Sequence, residues 1–277
     1  MSFKIVTDSS SNLYTLPGCD YAYVPLKINC DEGEFIDNTE LDVAAMNAVL
    51  KNTKGRSGTS CPNTQDWLEA FGDADELFIV TITSNLSGSY ASAEIAAKEY
   101  LQKNPDKKVC LIDSLSAGPE MQLIAEKIKE FHDEGLSFEE IEEKTRAYVK
   151  RTKLVFALKS MNNLAKNGRI SMAKAKIAGM LGIRGVGIAS DVGTLQPMHK
   201  PRGDKKTIAS IFQTMLDLGY KGGRVLIAHC FAETDADELK KTILDTFKDA
   251  AIRLTTTGGL CSFYAEEGGL MIGLETM

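Results

Sequence analysis

Apolar residues come in short runs that each end in a polar loop. Phe3-Lys4-Ile5-Val6-Thr7 alternates, is rich in β-formers, and meets Asp8-Ser9-Ser10-Ser11-Asn12, a cluster of turn and N-cap formers. Leu77 to Ile82 is continuously apolar before Thr83-Ser84-Asn85, and Lys108-Val109-Cys110-Leu111-Ile112 precedes Asp113-Ser114. Uninterrupted runs of this length predict strands buried on both faces, as in a parallel sheet. Between them, Ser89 to Gln102 is Ala-rich and Pro119 to Glu134 repeats apolar residues at three and four, so both predict helices. Strand, loop, helix, strand is the βαβ rhythm of an α/β domain.

Leu136 to Arg151 predicts a charged helix, with Ser137 as N-cap and Glu139 and Glu140 in its first turn. The rhythm then changes. Leu154 to Leu158, Ile183 to Ala189, Arg224 to Ala228 and Leu260 to Tyr264 read as strands; Met172 to Leu181, Lys205 to Leu218 and Asp235 to Ala250 read as helices. The expected architecture is α/β: an N-terminal three-layer domain with a mostly parallel sheet over 1–154, and a smaller C-terminal α+β domain over 155–277. There is no internal repeat.

Composition narrows the function. Of 277 residues 43% are hydrophobic and 25% charged, enough for a sizeable core, and the net charge of −6 argues against duplex nucleic acid as partner. The opening residues reach Asp8 too soon for a signal-peptide core, and no segment approaches the ~18 uninterrupted apolar residues of a membrane span. A cytoplasmic protein is expected. The six cysteines show neither CxxC pairs nor zinc spacing and read as buried free thiols; no metal is expected.

Candidate chemistry lies in four hydroxyl-bearing loops: Asp8-Ser9-Ser10, Ser57 to Pro62, Thr83 to Ser89, and Asp113 to Ser116. Ligands of open α/β sheets bind beyond the carboxyl ends of strands, where hydroxyls and helix N-termini suit an anion. Each loop alone reads equally well as a set of helix caps. Leu86-Ser87-Gly88 lacks the first glycine of a G-x-S-x-G elbow, His132, His199 and His229 have no evident catalytic setting, and no Walker A or G-x-G-x-x-G fingerprint is present. Nothing in these patterns compels catalysis.

In order and spacing the loops resemble the DegV family, whose better-understood members are the fatty-acid-binding subunits of bacterial fatty acid kinase. Ile5-Val6-Thr7-Asp8-Ser9-Ser10 is similar to the family's opening strand and D-S-S turn, and Val24-Pro25-Leu26 to its V-P-L strand. Gly58-Thr59-Ser60-Cys61-Pro62 resembles T-S-Q-P with Cys61 in the glutamine position, and Leu86 to Ala93 resembles L-S-G-T-Y-Q-S-A. Ile112-Asp113-Ser114 matches I-D-S, Asn167-Gly168-Arg169-Ile170-Ser171 resembles G-G-R-I-S, and Lys200-Pro201-Arg202-Gly203 resembles K-x-R-G.

The resemblance implies an acyl chain in a tunnel between two domains, its carboxylate held by Thr59, Ser60 and Ser87, in loops that also offer Ser84 and Gly88. It implies that Arg169 and Arg202 face a fatty acid kinase partner, with Lys166, Lys174, Lys176, Arg184, Lys205 and Lys206 around them in sequence. One departure stands out. Tyr264 occupies the place of the histidine in the family's H-T-G-P-G stretch, where it offers a hydroxyl but no cation, and Glu266 and Glu267 add negative charge nearby.

The reading that follows is a carrier of a long-chain fatty acid, with no catalytic residue and no cofactor, that presents its ligand to a kinase. Two alternatives stay open: a serine-dependent ester hydrolase using Ser87 with His229 or Tyr264, and a sensor or interaction protein with a structural lipid. Met121, Met161, Met172 and Met180 either line the tunnel or fill the core.

Overall fold

The computed structural model describes residues 2–172 and 182–276. Apart from Met172, the helix expected over Met172 to Leu181, with Lys174, Lys176 and Met180, lies outside the described residues.

A four-stranded parallel sheet is ordered β2 (Asp20–Val24), β1 (Phe3–Asp8), β6 (Glu76–Thr81), β7 (Lys108–Asp113). Both its faces are covered, which is why its central strands are apolar throughout. Val6, Leu77 and Ile79 meet Trp67 and Phe71 of α2 (Thr64–Phe71) and Ala93, Ala96 and Ala97 of α3 (Ser89–Lys103). Ile5, Phe78 and Val80 face the other way, onto Met121, Ile124, Ala125 and Ile128 of α4 (Pro119–Asp133) and Phe138 and Ile141 of α5 (Phe138–Val149). As expected, Ser137 caps α5, in a reciprocal box with Glu140.

The six-stranded sheet runs β10 (Leu195–His199), β9 (Gly185–Ala189), β8 (Thr152–Leu158), β13 (Leu270–Glu275), β11 (Val225–His229), β12 (Ile252–Thr256). It is antiparallel except for β11 with β12. Its outer face, including Val155, Ala157, Ile227 and Ile272, packs on Ile208, Ile211 and Met215 of α7 (Asp204–Asp217) and Ala236, Leu239 and Ile243 of α8 (Glu233–Thr246). Its inner face lies on α4, whose residues share one core cluster with Leu154 and Met271. That helix is the filling between the two sheets.

Two elements differ from expectation. Leu260 to Tyr264 is not a strand but part of α9 (Gly259–Ala265). A five-residue segment with one polar position, Ser262, does not reveal its period, and tertiary contacts decide here. The buried Asp37 carboxylate accepts the Gly259 and Leu260 N–H groups at 2.6 and 3.1 Å, and Asn12 Oδ1 accepts that of Gly258 at 2.8 Å. The place beside β11 that a strand there would have taken belongs to β13. Ser57–Ser60, expected as a loop, is β5 of a small antiparallel sheet ordered β4 (Gly33–Ile36), β3 (Lys27–Cys30), β5. This sheet is backed by Met46 of α1 (Val43–Asn52) and by Phe263.

Of the cysteines only Cys110, Cys230 and Cys261 are buried. Cys61 is exposed, Cys19 and Cys30 are half-buried, and all six are free thiols.

Candidate functional site

Of the four hydroxyl loops, two are spent on architecture. Asp8 lies fully buried at the end of β1 and accepts Ile82 N–H at 2.9 Å, Ser89 Oγ–H at 2.6 Å, Ser10 N–H at 3.2 Å and the Ser10 hydroxyl. It thereby ties β1 to the end of β6 and the start of α3. Burial pushes its carboxyl up, and these hydrogen bonds pull it part of the way back. Ser9 Oγ accepts Leu26 N–H at 3.0 Å, and Asp113 accepts Ser84 N–H at 3.2 Å and Leu115 N–H at 3.0 Å.

The other two loops meet at one end of a cavity between the sheets. Thr59 Oγ1 and Tyr264 Oη lie 2.7 Å apart, and Ser87 lines the same end. The Ser87 Oγ accepts Ser89 N–H at 3.2 Å, which leaves its own hydrogen free. Arg169 completes the group: its Nε donates to the Leu86 carbonyl at 3.1 Å, its Nη1 to that of Asn167 at 2.6 Å, and its guanidinium sits 5.8 Å from the Tyr264 ring centre. Such close approach needs small residues. A Cβ on Gly58 would come within 3.0 Å of Asn167 Oδ1, and one on Gly88 within 3.1 Å of Cys61 Sγ. Burial raises the Tyr264 phenol, while its Thr59 hydrogen bond and Arg169 oppose the rise.

Away from that end the lining is hydrocarbon. Leu154, Phe156 and Leu158 come from alternate positions of β8, Ile82 and Leu86 from the loop that follows β6, and Leu260 and Cys261 from α9. Met271 of β13 stands opposite Phe156, Leu154 is the lining residue of β8 furthest from Leu158, and Ala117 joins the lining from the loop before α4. The cavity holds ≈ 680 Å³ of atom-free space, the solvent at its mouth included, and a water-sized sphere can place its centre in only ≈ 70 Å³ of it. The space is narrow, and the row Leu158, Phe156, Leu154 runs along it like the wall of a tube.

Thr59, Ser87 and Tyr264 are therefore brought together. Ser60 points to the opposite face of β5, is exposed, and accepts a hydrogen bond from Asn29 Nδ2 at 3.3 Å. Ser84 and Gly88 are exposed and do not line the cavity, although Gly88 caps α3. Arg169 faces the cavity, whereas Arg202 is exposed. Arg184 does not belong to a basic surface: it is buried and paired with Asp204 at 2.6 Å and Asp235 at 2.7 Å. Glu266 turns away from the site to accept Ser160 Oγ–H at 2.9 Å and Asn163 N–H at 3.2 Å, and Glu267 is at the surface 3.5 Å from Lys51. Met121 and Met161 fill the core and Met172 is exposed; the methionine lining the tube is Met271. His229 accepts Ala232 N–H through Nδ1, His132 stacks on Phe3 at 3.7 Å, and neither they nor His199 line the cavity.

A parallel sheet and a mostly antiparallel sheet sharing one helical layer, with a narrow apolar tube whose polar groups gather at one end, define an α/β protein with an internal binding tunnel. The chain belongs to the DegV family: the model for these uncharacterised proteins matches residues 2–276. A DegV domain-containing protein of Streptococcus pneumoniae is 43% identical over 279 residues, covering 99% of each chain. Two solved structures superpose with a TM-score of 0.98 and full coverage of both chains: a DegV family protein from Eubacterium eligens loaded with heptadecanoic acid, 43% identical, and the fatty acid kinase B3 protein of S. pneumoniae loaded with linoleic acid, 42% identical. No helix among the described residues is long and apolar enough to cross a membrane.

Proposed function

We propose that this protein binds a long-chain fatty acid in the tube and presents the carboxylate to a kinase partner. The observation that carries the reading is the asymmetry of the tube, apolar along its length and polar at one end only. A hydrogen inventory supports the placement of the head group. Within the Thr59–Tyr264 pair one hydroxyl donates to the other, so one hydrogen remains for a ligand. Ser87 offers a second. Arg169 supplies charge, with Nη2 donors beyond those given to Leu86 and Asn167. Hydrogen bonds to a charged acceptor contribute roughly 1.5–3 kcal/mol each, and each buried methylene about 0.8 kcal/mol. A long tail thus dominates affinity and the head end fixes orientation.

We read the protein as a carrier rather than a catalyst. Ser87 has no imidazole among the residues that share the cavity with it. Lys200, Arg202, Lys205 and Lys206 are exposed on a chain of net charge −6, a local reversal of sign that suits an acidic docking partner. The kinships above point the same way, since the two superposed proteins are described as loaded with fatty acids. Native mass spectrometry of purified protein, before and after delipidation and reloading with oleic acid, tests the reading. A carrier shows one bound acyl chain and regains it; a protein that arrives empty and takes up nothing is not one.

A further inference from the structure

The inner row of β8 does not stop with the tunnel. Leu158, Phe156 and Leu154 line the tube, and the next residue on the same face is Thr152. At ~3.3 Å per residue, Leu154 lies about 13 Å from Leu158 along the strand and Thr152 about 20 Å. Thr152 belongs to a different space: with Glu120, Ser114, Lys153 and Asp191 it lines a second hollow, in which ≈ 360 Å³ is open to the centre of a water-sized sphere. The two spaces meet back to back. Ser114 and Leu115 line the hollow while Ala117 of the same loop lines the tube, and Thr152 lines the hollow while Leu154 lines the tube.

Between them stands a buried polar pair. Glu120, 4% exposed on the first turn of α4, has its Oε1 2.7 Å from Thr152 Oγ1. The Thr152 hydroxyl also lies 3.1 Å from the Val149 carbonyl, which terminates α5. A hydroxyl has one hydrogen. A protonated Glu120 satisfies both contacts, donating to Thr152 while Thr152 donates to Val149. Ser116 Oγ is buried without a well-formed hydrogen bond, and Lys153 is turned to Asp191 at 2.9 Å.

We propose that the Glu120–Thr152 pair is the stopper at the inner end of the tunnel, limiting the length of acyl chain the protein accepts and separating the tunnel from the wet hollow behind it. A tail long enough to press on this pair must displace a satisfied polar contact, so further methylenes stop adding affinity. The inference rests on the fatty-acid reading of the same cavity.

The test is a titration of delipidated full-length protein with palmitic, stearic, arachidic and behenic acids. Affinity in the native protein rises with length and then breaks. Glu120→Ala and Thr152→Ala move the break to a longer acid and tighten behenic acid about tenfold, the worth of roughly two methylenes, with palmitic acid unchanged. Glu120→Gln keeps the stopper and leaves the break in place. If an alanine variant does not fold, Glu120→Asp, shorter by one carbon, carries the same test. A length break that stays at the same acid in the opened variants, or no break in the native protein, overturns the stopper alone. A native protein that binds none of the four acids overturns the fatty-acid reading with it.

Discussion

Thr59 and Tyr264 are separated by 205 residues of chain, yet their hydroxyls meet at 2.7 Å and close one end of an apolar tube. Thr59 comes from the small three-stranded sheet and Tyr264 from a buried seven-residue helix. Their contact therefore joins an edge of the N-terminal half to the core of the C-terminal half, and a ligand gripped there feels both.

Removing one hydroxyl of this pair should weaken the grip without emptying the tube. The pair has one hydrogen left for the carboxylate, so whichever of Thr59→Val and Tyr264→Phe removes the residue that donates it should lower fatty acid affinity by about tenfold, roughly 1.5 kcal/mol, and the other should lower it less. The affinity of a methyl ester should hardly change. Tyr264→His adds a different signature. Burial raises the Tyr264 phenol above its usual range, so it stays neutral and native head-group binding should be flat from about pH 6 to 9. An imidazole with a pKa near 6.5 is a cation only below that value, so the variant should bind more tightly as pH falls through it. Calorimetric titration across pH decides both points.

The basic surface should separate from the tube. Arg202 is exposed and does not line the cavity. Arg202→Glu should leave fatty acid affinity unchanged while abolishing phosphoryl transfer to the bound acid from a fatty acid kinase. Loss of fatty acid binding in this variant, measured by the same titration, would show instead that the region supports the tunnel.

Asp37 should matter more than its distance from the tube implies. It is buried, burial holds its carboxyl above the usual range, and it accepts from Tyr14 Oη at 2.9 Å as well as from the first N–H groups of α9. Asp37→Ala would strand three donors, each worth about 1–3 kcal/mol, so a loss of at least ~3 kcal/mol in chemical denaturation is expected. Because α9 carries Tyr264, fatty acid binding should fall with it.

How much of this was legible in the chain depended on where the deciding contacts lie. β1, β6, β7 and α4 could be read because each is buried by its own period. Helix α9 could not, because its capping carboxylate comes from Asp37, 222 residues away. Ser57-Gly58-Thr59-Ser60 has the composition of a loop and becomes a strand only by pairing with β3. Had it been read as one, the alternation of side chains would have separated Thr59 inside from Ser60 outside. The family resemblance pointed to Thr59, Ser87 and Tyr264, which the fold brings to one cavity, and to Arg169 as a partner contact, a residue that the fold turns to the same cavity. The lining leucines carry no signal of their own, since a leucine beside a ligand and a leucine in a core obey the same pattern.

Glu120 offers the sharpest test of the tunnel's inner end through stability alone. Burial raises its carboxyl to about 7 from an ordinary 4.5, while Ser116, Thr152 and Lys153 pull in the opposite direction. Facing it are the hydroxyls of Ser116 and Thr152, the Val149 carbonyl behind Thr152, and, around the hollow, Lys150, Lys153 and Asp191. A raised acid means the folded state holds a proton that the unfolded chain has released. Between pH 4.5 and 7 the unfolded chain binds fewer protons, so this residue's contribution to stability declines as pH rises and is level again above 7. The shift corresponds to about 3 kcal/mol lost across that window. Glu120→Gln keeps a donor for Thr152 and cannot ionise. Urea denaturation should find it close to the native protein near pH 4.5 and more stable by up to about 3 kcal/mol at pH 8. Parallel pH profiles for the two proteins would mean that Glu120 is already charged and solvated, and that no dry wall stands between the tunnel and the hollow.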